Sequence, residues 1–188
     1  MDTNKKRFVT LVFAGLMTLS GCGVDDPGRT PGGGSGGGTG GGTTTGCLGG
    51  CARGFRCQVS SCVLDATGFW TVRITSGTVA SRNASGSHWD TDLSDPDPKV
   101  CLTINGNRSC TRTIADTLSP VWNTDFSAAS ATALQAGITV EYLDTDLAFD
   151  DPICSGNLAV SASDFASGTW GFTCQSGLGQ VRAQLLAQ

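Results

Sequence analysis

Two stretches of the chain concentrate carboxylates. YLDTDLAFDDPIC carries Asp144, Asp146, Asp150 and Asp151, and WDTDLSDPDPKV carries Asp90, Asp92, Asp95 and Asp97. Each abuts a strand-like pattern, so each is expected as a loop at a strand end. Two such loops can face one another at the end of a β-sandwich. Carboxylates that converge there repel by about 1 kcal/mol per close pair in water-like surroundings, and by about 4 kcal/mol at an effective dielectric near 20. A hard cation between them offsets that repulsion. Calcium, with six to eight oxygen ligands drawn from flexible loops, suits the set.

The elements that must position these loops read as strands. Val72, Ile74 and Ser76 share one face of residues 70–79, with Thr71, Arg73 and Thr75 on the other. Ile138, Val140 and Tyr142 alternate with Thr139 and Glu141 in residues 137–143. Further strands are expected at 99–104, 109–114, 121–128, 156–165, 168–174 and 179–187, and residues 129–137 are expected as a loop. Eight short alternating segments broken by Gly, Pro, Asn and Asp predict an all-β, eight-stranded antiparallel sandwich over residues 67–188. Trp70, Trp122 and Phe126 are expected in its core.

The start of the chain carries a different signal. Lys5, Lys6 and Arg7 precede an apolar run from Val9 to Leu19, too short to span a bilayer and typical of a secretory segment. It ends in Leu19-Ser20-Gly21-Cys22, which resembles the lipobox of bacterial lipoproteins. The resemblance implies a signal peptide over residues 1–21 and an acylated Cys22. With Gly rather than Asp at position 23, it also implies an anchor in the bacterial cell envelope at the outer membrane. Residues 23–46, almost devoid of apolar side chains, read as a disordered Gly/Thr-rich tether with a root-mean-square reach of roughly 27 Å.

Without residues 1–21, nine Lys/Arg stand against fifteen Asp/Glu, a net charge of −6. That balance argues against nucleic acid as a partner and against simple electrostatic membrane binding. The nine cysteines become eight once Cys22 is acylated, and an even count in an exported chain reads as four disulfides. Asn105-Gly106 signals a two-residue hairpin, which sets Cys101 opposite Cys110 in a non-hydrogen-bonded pair. Cys154 and Cys174 then pair by elimination. Cys47, Cys51, Cys57 and Cys62 crowd into a small knot over residues 47–66, with three possible connectivities. A zinc site made by all four thiolates is the alternative there.

Three motifs in order resemble the C2 domain, a calcium- and phospholipid-binding β-sandwich family. Asp97-Pro98-Lys99-Val100 resembles its Asp-Pro-Tyr-Val step out of the first calcium loop. Thr117 through Asn123 matches its Thr-Leu-Asn-Pro-x-Trp-Asn segment, and Val140 through Ile153 resembles its third loop. Lys99 replaces the family's Tyr, and Cys154 replaces its Gly. An alternative register would use Asp95-Pro96; the alternation of Val100 and Leu102 favours Asp97. One strand before the first loop and an extra one at the carboxyl end imply the type II circular order.

The resemblance implies that Asp90 and Asp97 from the first loop, with Asp144, Asp146 and Asp151 from the third, bind calcium. Asp92 and Asp150 would be auxiliary. Two calcium ions would reduce the five carboxylate charges from −5 to −1. Leu93 in the first loop, and Leu147, Ala148 and Phe149 in the third, occupy the family's membrane-contacting tips. For the knot, a resemblance to small EGF-like fragments implies the pairs Cys47–Cys57 and Cys51–Cys62. The expected function is a membrane-anchored, calcium-dependent module for phospholipid or another surface ligand, such as a surface protein. The alternative is an adhesion protein whose calcium only stabilises the loops. No catalysis is expected: His88, the only His, sits in a Gly/Ser-rich segment without a nucleophile elbow.

Overall fold

The computed structural model describes residues 47, 49–146 and 149–188. The expected signal segment, Cys22, the tether and the tip residues Leu147 and Ala148 lie outside the described residues.

Two antiparallel sheets stack face to face. One is ordered β10 (Thr169–Thr173), β11 (Gly179–Ala187), β3 (Phe69–Val79), β6 (Val121–Asp125), with the short β7 (Ala129–Ser130) also pairing with β3. The other is ordered β5 (Asn107–Cys110), β4 (Pro98–Ile104), β8 (Ile138–Thr145), β9 (Asp150–Leu158). Period-two alternation turns Val72 and Ile74 of β3, Val181, Ala183 and Leu185 of β11, and Trp170 and Phe172 of β10 inward. Val100 and Leu102 of β4 meet them with Val140 and Tyr142 of β8. The expected core residues Trp70, Trp122 and Phe126 are all buried. The outer faces carry Arg73–Asp125 and Arg108–Glu141 ion pairs.

A third, two-stranded element, β1 (Phe55–Gln58) with β2 (Ser61–Leu64), forms the Cys-rich knot. It is bonded through Cys47–Cys57 and Cys51–Cys62. It does not hang free. Phe55 sets its ring edge against Trp70 at 6.1 Å, and Trp70 in turn lies 4.8 Å from Phe165. Gly54, at φ +83°, packs so closely on the Trp70 indole that no Cβ would fit. The Asp65 N–H donates to the Gly54 carbonyl at 2.9 Å.

Cys101 faces Cys110 across the β4–β5 ladder and is bonded to it. Cys154 of β9 is bonded to Cys174, just past β10, so this bridge joins the edges of the two sheets.

Three segments differ from the sequence expectation; the strand expected at 109–114 is β5 (Asn107–Cys110), and residues 111–114 form no strand. The strand expected at 156–165 lies instead at Asp150–Leu158 and is followed by α2 (Ala162–Ser167). Ser161 and Asp164 form a reciprocal capping box, and Gly168 closes the helix in the left-handed region. That local chemistry outweighs the apparent alternation around Val160. Asp150 and Asp151 therefore open an edge strand rather than sit in a loop. Pro152 is tolerated there because the ladder shifts register beside it. Residues 129–137, expected as a loop, hold α1 (Ala131–Ala136), capped by the Ser130 hydroxyl, which accepts from the Ala133 N–H.

Candidate functional site

The carboxylates converge where β3 leads into β4 and β8 leads into β9. The first connection, residues 80–97, is shaped by its own polar side chains. The Asn83 side-chain oxygen accepts from the N–H groups of Ser85 and Ser87, and the Trp89 indole N–H donates to the Ala80 carbonyl at 2.7 Å. Trp89 is thereby buried and walls the cleft that follows. The Ser94 hydroxyl bridges the carboxylates of Asp90 and Asp92, at 3.0 and 2.6 Å. That bridge turns the Asp90 carboxylate inward and leaves Asp92 on the rim.

Asp144 ends the apolar run of β8 and is fully buried. One of its oxygens accepts from the Asp97 N–H at 2.6 Å, and the Asp97 carbonyl accepts from the Thr145 N–H at 3.0 Å. These bonds lock the two acidic segments together. The other oxygen of Asp144 has no hydrogen-bond partner among the described residues. Burial, followed by the charges of Asp90, Asp146 and Asp97, pushes the Asp144 carboxyl up to about 6, against the opposing pull of the Asp97 N–H. Burial, followed by the hydrogen bond and charge of Asp90, raises Asp146 as well.

Carboxylate oxygens of Asp90, Asp144 and Asp146 lie within 4.8 Å of one another. Asp97 and Asp151 line the same cleft with Asp146. All five expected ligands are thus brought to one end of the sandwich. The auxiliary residues part company: Asp92 lines the cleft, whereas Asp150 turns away to Lys99 at 2.7 Å. Asp116 also lines the cleft, and its N–H donates to Asp97 at 2.8 Å. Sequence reasoning misses it because it stands alone in a segment without other carboxylates; its place just ahead of the Thr117–Asn123 motif is the available signal. Among the described residues, no Lys, Arg or His lines the cleft.

The donor set fits calcium. It is all oxygen and anionic, and oxygens within 4.8 Å of one another can share an ion that binds each at about 2.3–2.6 Å. A buried carboxylate oxygen with no partner is costly unless a cation satisfies it. Asp90, Asp144 and Asp146 would hold such an ion, with Asp97 and Asp151 beside it. Its charge would hold the loops together and present a cation at the cleft mouth.

Leu93 and Phe149 stand at this end, 66% and 83% exposed. Phe149 therefore does not fold back onto the sandwich, and Leu93 sits at φ +72° at the end of an Asp90–Leu93 turn.

Solved structures resemble this chain in fold. The tandem C2 domains of Extended-Synaptotagmin 2 match at 17% identity with a TM-score of 0.50, over 70% of this chain and 45% of that one. A structure of the same protein that adds its SMP domain to the two C2 domains matches at 16% identity and a TM-score of 0.50, over 65% of this chain and 27% of that one. A structure described as a C2 domain matches at 15% identity and a TM-score of 0.46, over 64% of this chain and 98% of that one. The chain thus spans less than half the length of these two Extended-Synaptotagmin 2 chains. No curated protein matches the sequence. The family model for the C2 domain matches residues 71–170, more than half of the 188 residues and a span that includes all five aspartates. The protein belongs to the C2 domain family, whose members commonly bind calcium and phospholipid.

Proposed function

We propose that this protein is a calcium-dependent phospholipid-binding module, held at a bacterial outer membrane by an acyl anchor on Cys22. The observation that carries the calcium reading is the buried Asp144, one oxygen of which has no partner among the described residues while two other carboxylates converge within 4.8 Å. The lipid reading rests on Leu93 and Phe149, exposed on the two segments that flank the carboxylates. Each would add about 1.5–3 kcal/mol if fully buried in a bilayer interface. Direct attraction of anionic headgroups by side chains has few candidates, because Lys99 and Arg108 are held in ion pairs; Arg82, beside Leu93, and Arg112 are without one among the described residues. Calcium would instead cancel the carboxylate charge and let the tips approach.

The module is read as a binding protein, not an enzyme: the cleft offers carboxylates and hydroxyls, with His88 outside it. The test pairs calorimetric titration of calcium into the unacylated chain with vesicle sedimentation in calcium and in EDTA. Calcium-dependent sedimentation that Leu93→Ser/Phe149→Ser abolishes is the expected result. Calcium binding without sedimentation in any lipid mixture would replace the lipid reading with the calcium-stiffened adhesion protein. No heat of binding would remove both.

A further inference from the structure

Val79 at one end of β3 leads into the carboxylate segment, and Phe69 at the other leads back to the Cys-rich knot, which forms the opposite pole. The four cysteines of the knot come as two close pairs. The Gly50 N–H donates to the Cys47 carbonyl at 2.9 Å, and Gly50, at φ +77°, turns the chain so that Cys51 returns toward Cys47. In the hairpin, Cys57 stands directly opposite Cys62. The disulfides join one pair to the other, Cys47 to Cys57 and Cys51 to Cys62. The Sγ atoms of Cys47, Cys51 and Cys62 lie within 4.8 Å of one another, and that of Cys57 is bonded to that of Cys47. Access sets this cluster apart from the other two bridges. Cys57 and Cys62 are exposed, whereas each bridge of the sandwich has one buried end, Cys101 or Cys174. A thiolate must reach a sulfur to exchange with it, so a dithiol opens the knot first.

We propose that the knot has a second state: once opened by a dithiol reductant, Cys47, Cys51, Cys57 and Cys62 hold one thiophilic divalent cation such as zinc. Each disulfide takes two electrons and two protons from a dithiol, which closes to its own disulfide. The four thiols then bind one cation and release four protons. Three residues separate Cys47 from Cys51 and four separate Cys57 from Cys62, both within the spacing of structural zinc sites. Tetrahedral sulfurs at about 2.3 Å from zinc stand about 3.8 Å apart, so the cluster needs only a small adjustment. The scaffold does not depend on the bonds that open. The β1–β2 pairing, the Phe55–Trp70 contact, the packing of Gly54 on Trp70 and the bond from the Asp65 N–H to the Gly54 carbonyl all remain. Arg53 and Arg56, exposed on the knot and without a salt bridge among the described residues, offset part of the double negative charge of a four-thiolate site. This site is independent of the calcium reading.

The test uses the full chain bearing Cys22→Ala, so that no ninth thiol contributes, with calcium in excess. Alkylation after limited treatment with dithiothreitol, read by peptide mass, should label the four knot cysteines and leave Cys101–Cys110 and Cys154–Cys174 joined. Once the dithiothreitol is removed, cobalt(II) added without oxygen should bind at one equivalent. Its spectrum should show the thiolate charge-transfer and tetrahedral d–d bands of a four-sulfur site, and zinc should displace it. The oxidised chain should show neither band, and Cys51→Ser/Cys62→Ser should lose the four-sulfur spectrum. Reoxidation of the loaded chain should release the metal, a result that does not rely on the variant folding. Opening of a sandwich bridge before the knot overturns the proposal, and so does cobalt that binds without thiolate bands or does not bind.

Discussion

The knot pole and the carboxylate pole are held together by opposite means. At the knot, two disulfides and the Phe55–Trp70–Phe165 stack fix the chain through covalent closure and apolar contact. At the other pole, charges of one sign are drawn together by short hydrogen bonds, with Asp144 buried and half satisfied. The first pole is complete as it stands, whereas the second gathers carboxylates whose repulsion a proton or a bound cation would relieve. A domain that is permanently assembled at one end and conditionally assembled at the other gives its ligand control over the conditional end alone.

The largest blow falls on the complete pole. Trp70→Ala should cost about 3–5 kcal/mol, because a large buried ring that links the knot to the core is lost. The cost should be the same in calcium and in EDTA by denaturant unfolding. A cost that depends on calcium would mean the poles are coupled.

Next in size is calcium itself. At 100 times its dissociation constant, one site adds about 2.7 kcal/mol, which should raise the melting temperature by roughly 10 °C. Asp144→Asn combined with Asp146→Asn should abolish that shift. Asp144→Asn alone should act with opposite signs in the two conditions: it lowers stability in calcium but raises it by about 1–3 kcal/mol in EDTA, because an uncompensated buried charge is gone. Destabilisation in EDTA would show that the carboxylate is satisfied without metal.

The pH dependence sharpens the same contrast. Burial raises the folded Asp144 carboxyl to about 6, so the folded state holds a proton that the unfolded chain releases between roughly pH 4 and 6. Without calcium, the stability contributed by this group is fully present below that window and lost as pH rises through about 6. Calcium affinity runs the other way, since the ligand must be ionised, and should fall about tenfold per unit below pH 6. Melts in EDTA and calorimetry in calcium, each from pH 5 to 8, would check both slopes.

The smallest expected effect returns to the knot. Val59, at φ +46° in the β1–β2 turn, is a β-branched residue in the left-handed region and is 93% exposed. Val59→Asn should stabilise by about 1 kcal/mol without altering calcium affinity. A changed affinity would show that the turn communicates with the far pole.

Much of this was legible in the sequence because it rests on short-range rules. Alternation over Val72 and Ile74 placed β3, and Asn105-Gly106 fixed the hairpin register that aligns Cys101 with Cys110. The two acidic stretches stood out because they cluster beside strand patterns, while the choice of Asp90, Asp97, Asp144, Asp146 and Asp151 within them came from the resemblance to the C2 domain. What escaped depends on competition or on distance. Ser161 with Asp164 out-competes a strand pattern through capping that periodicity does not register. Lys99 captures Asp150 from a neighbouring sheet position, which no spacing along the chain reveals. The docking of the knot through Gly54 on Trp70 needs a glycine whose value lies in the side chain it lacks.

The Cys154–Cys174 bridge has one more consequence. β9 and β10 are the terminal strands of their sheets on the same side of the sandwich, and each carries a row of backbone groups that a foreign strand could pair with. The bridge clamps these two borders together and narrows the approach to both. Opening it would free the two borders to move apart, so this bond ties the terminal strand of one sheet to that of the other.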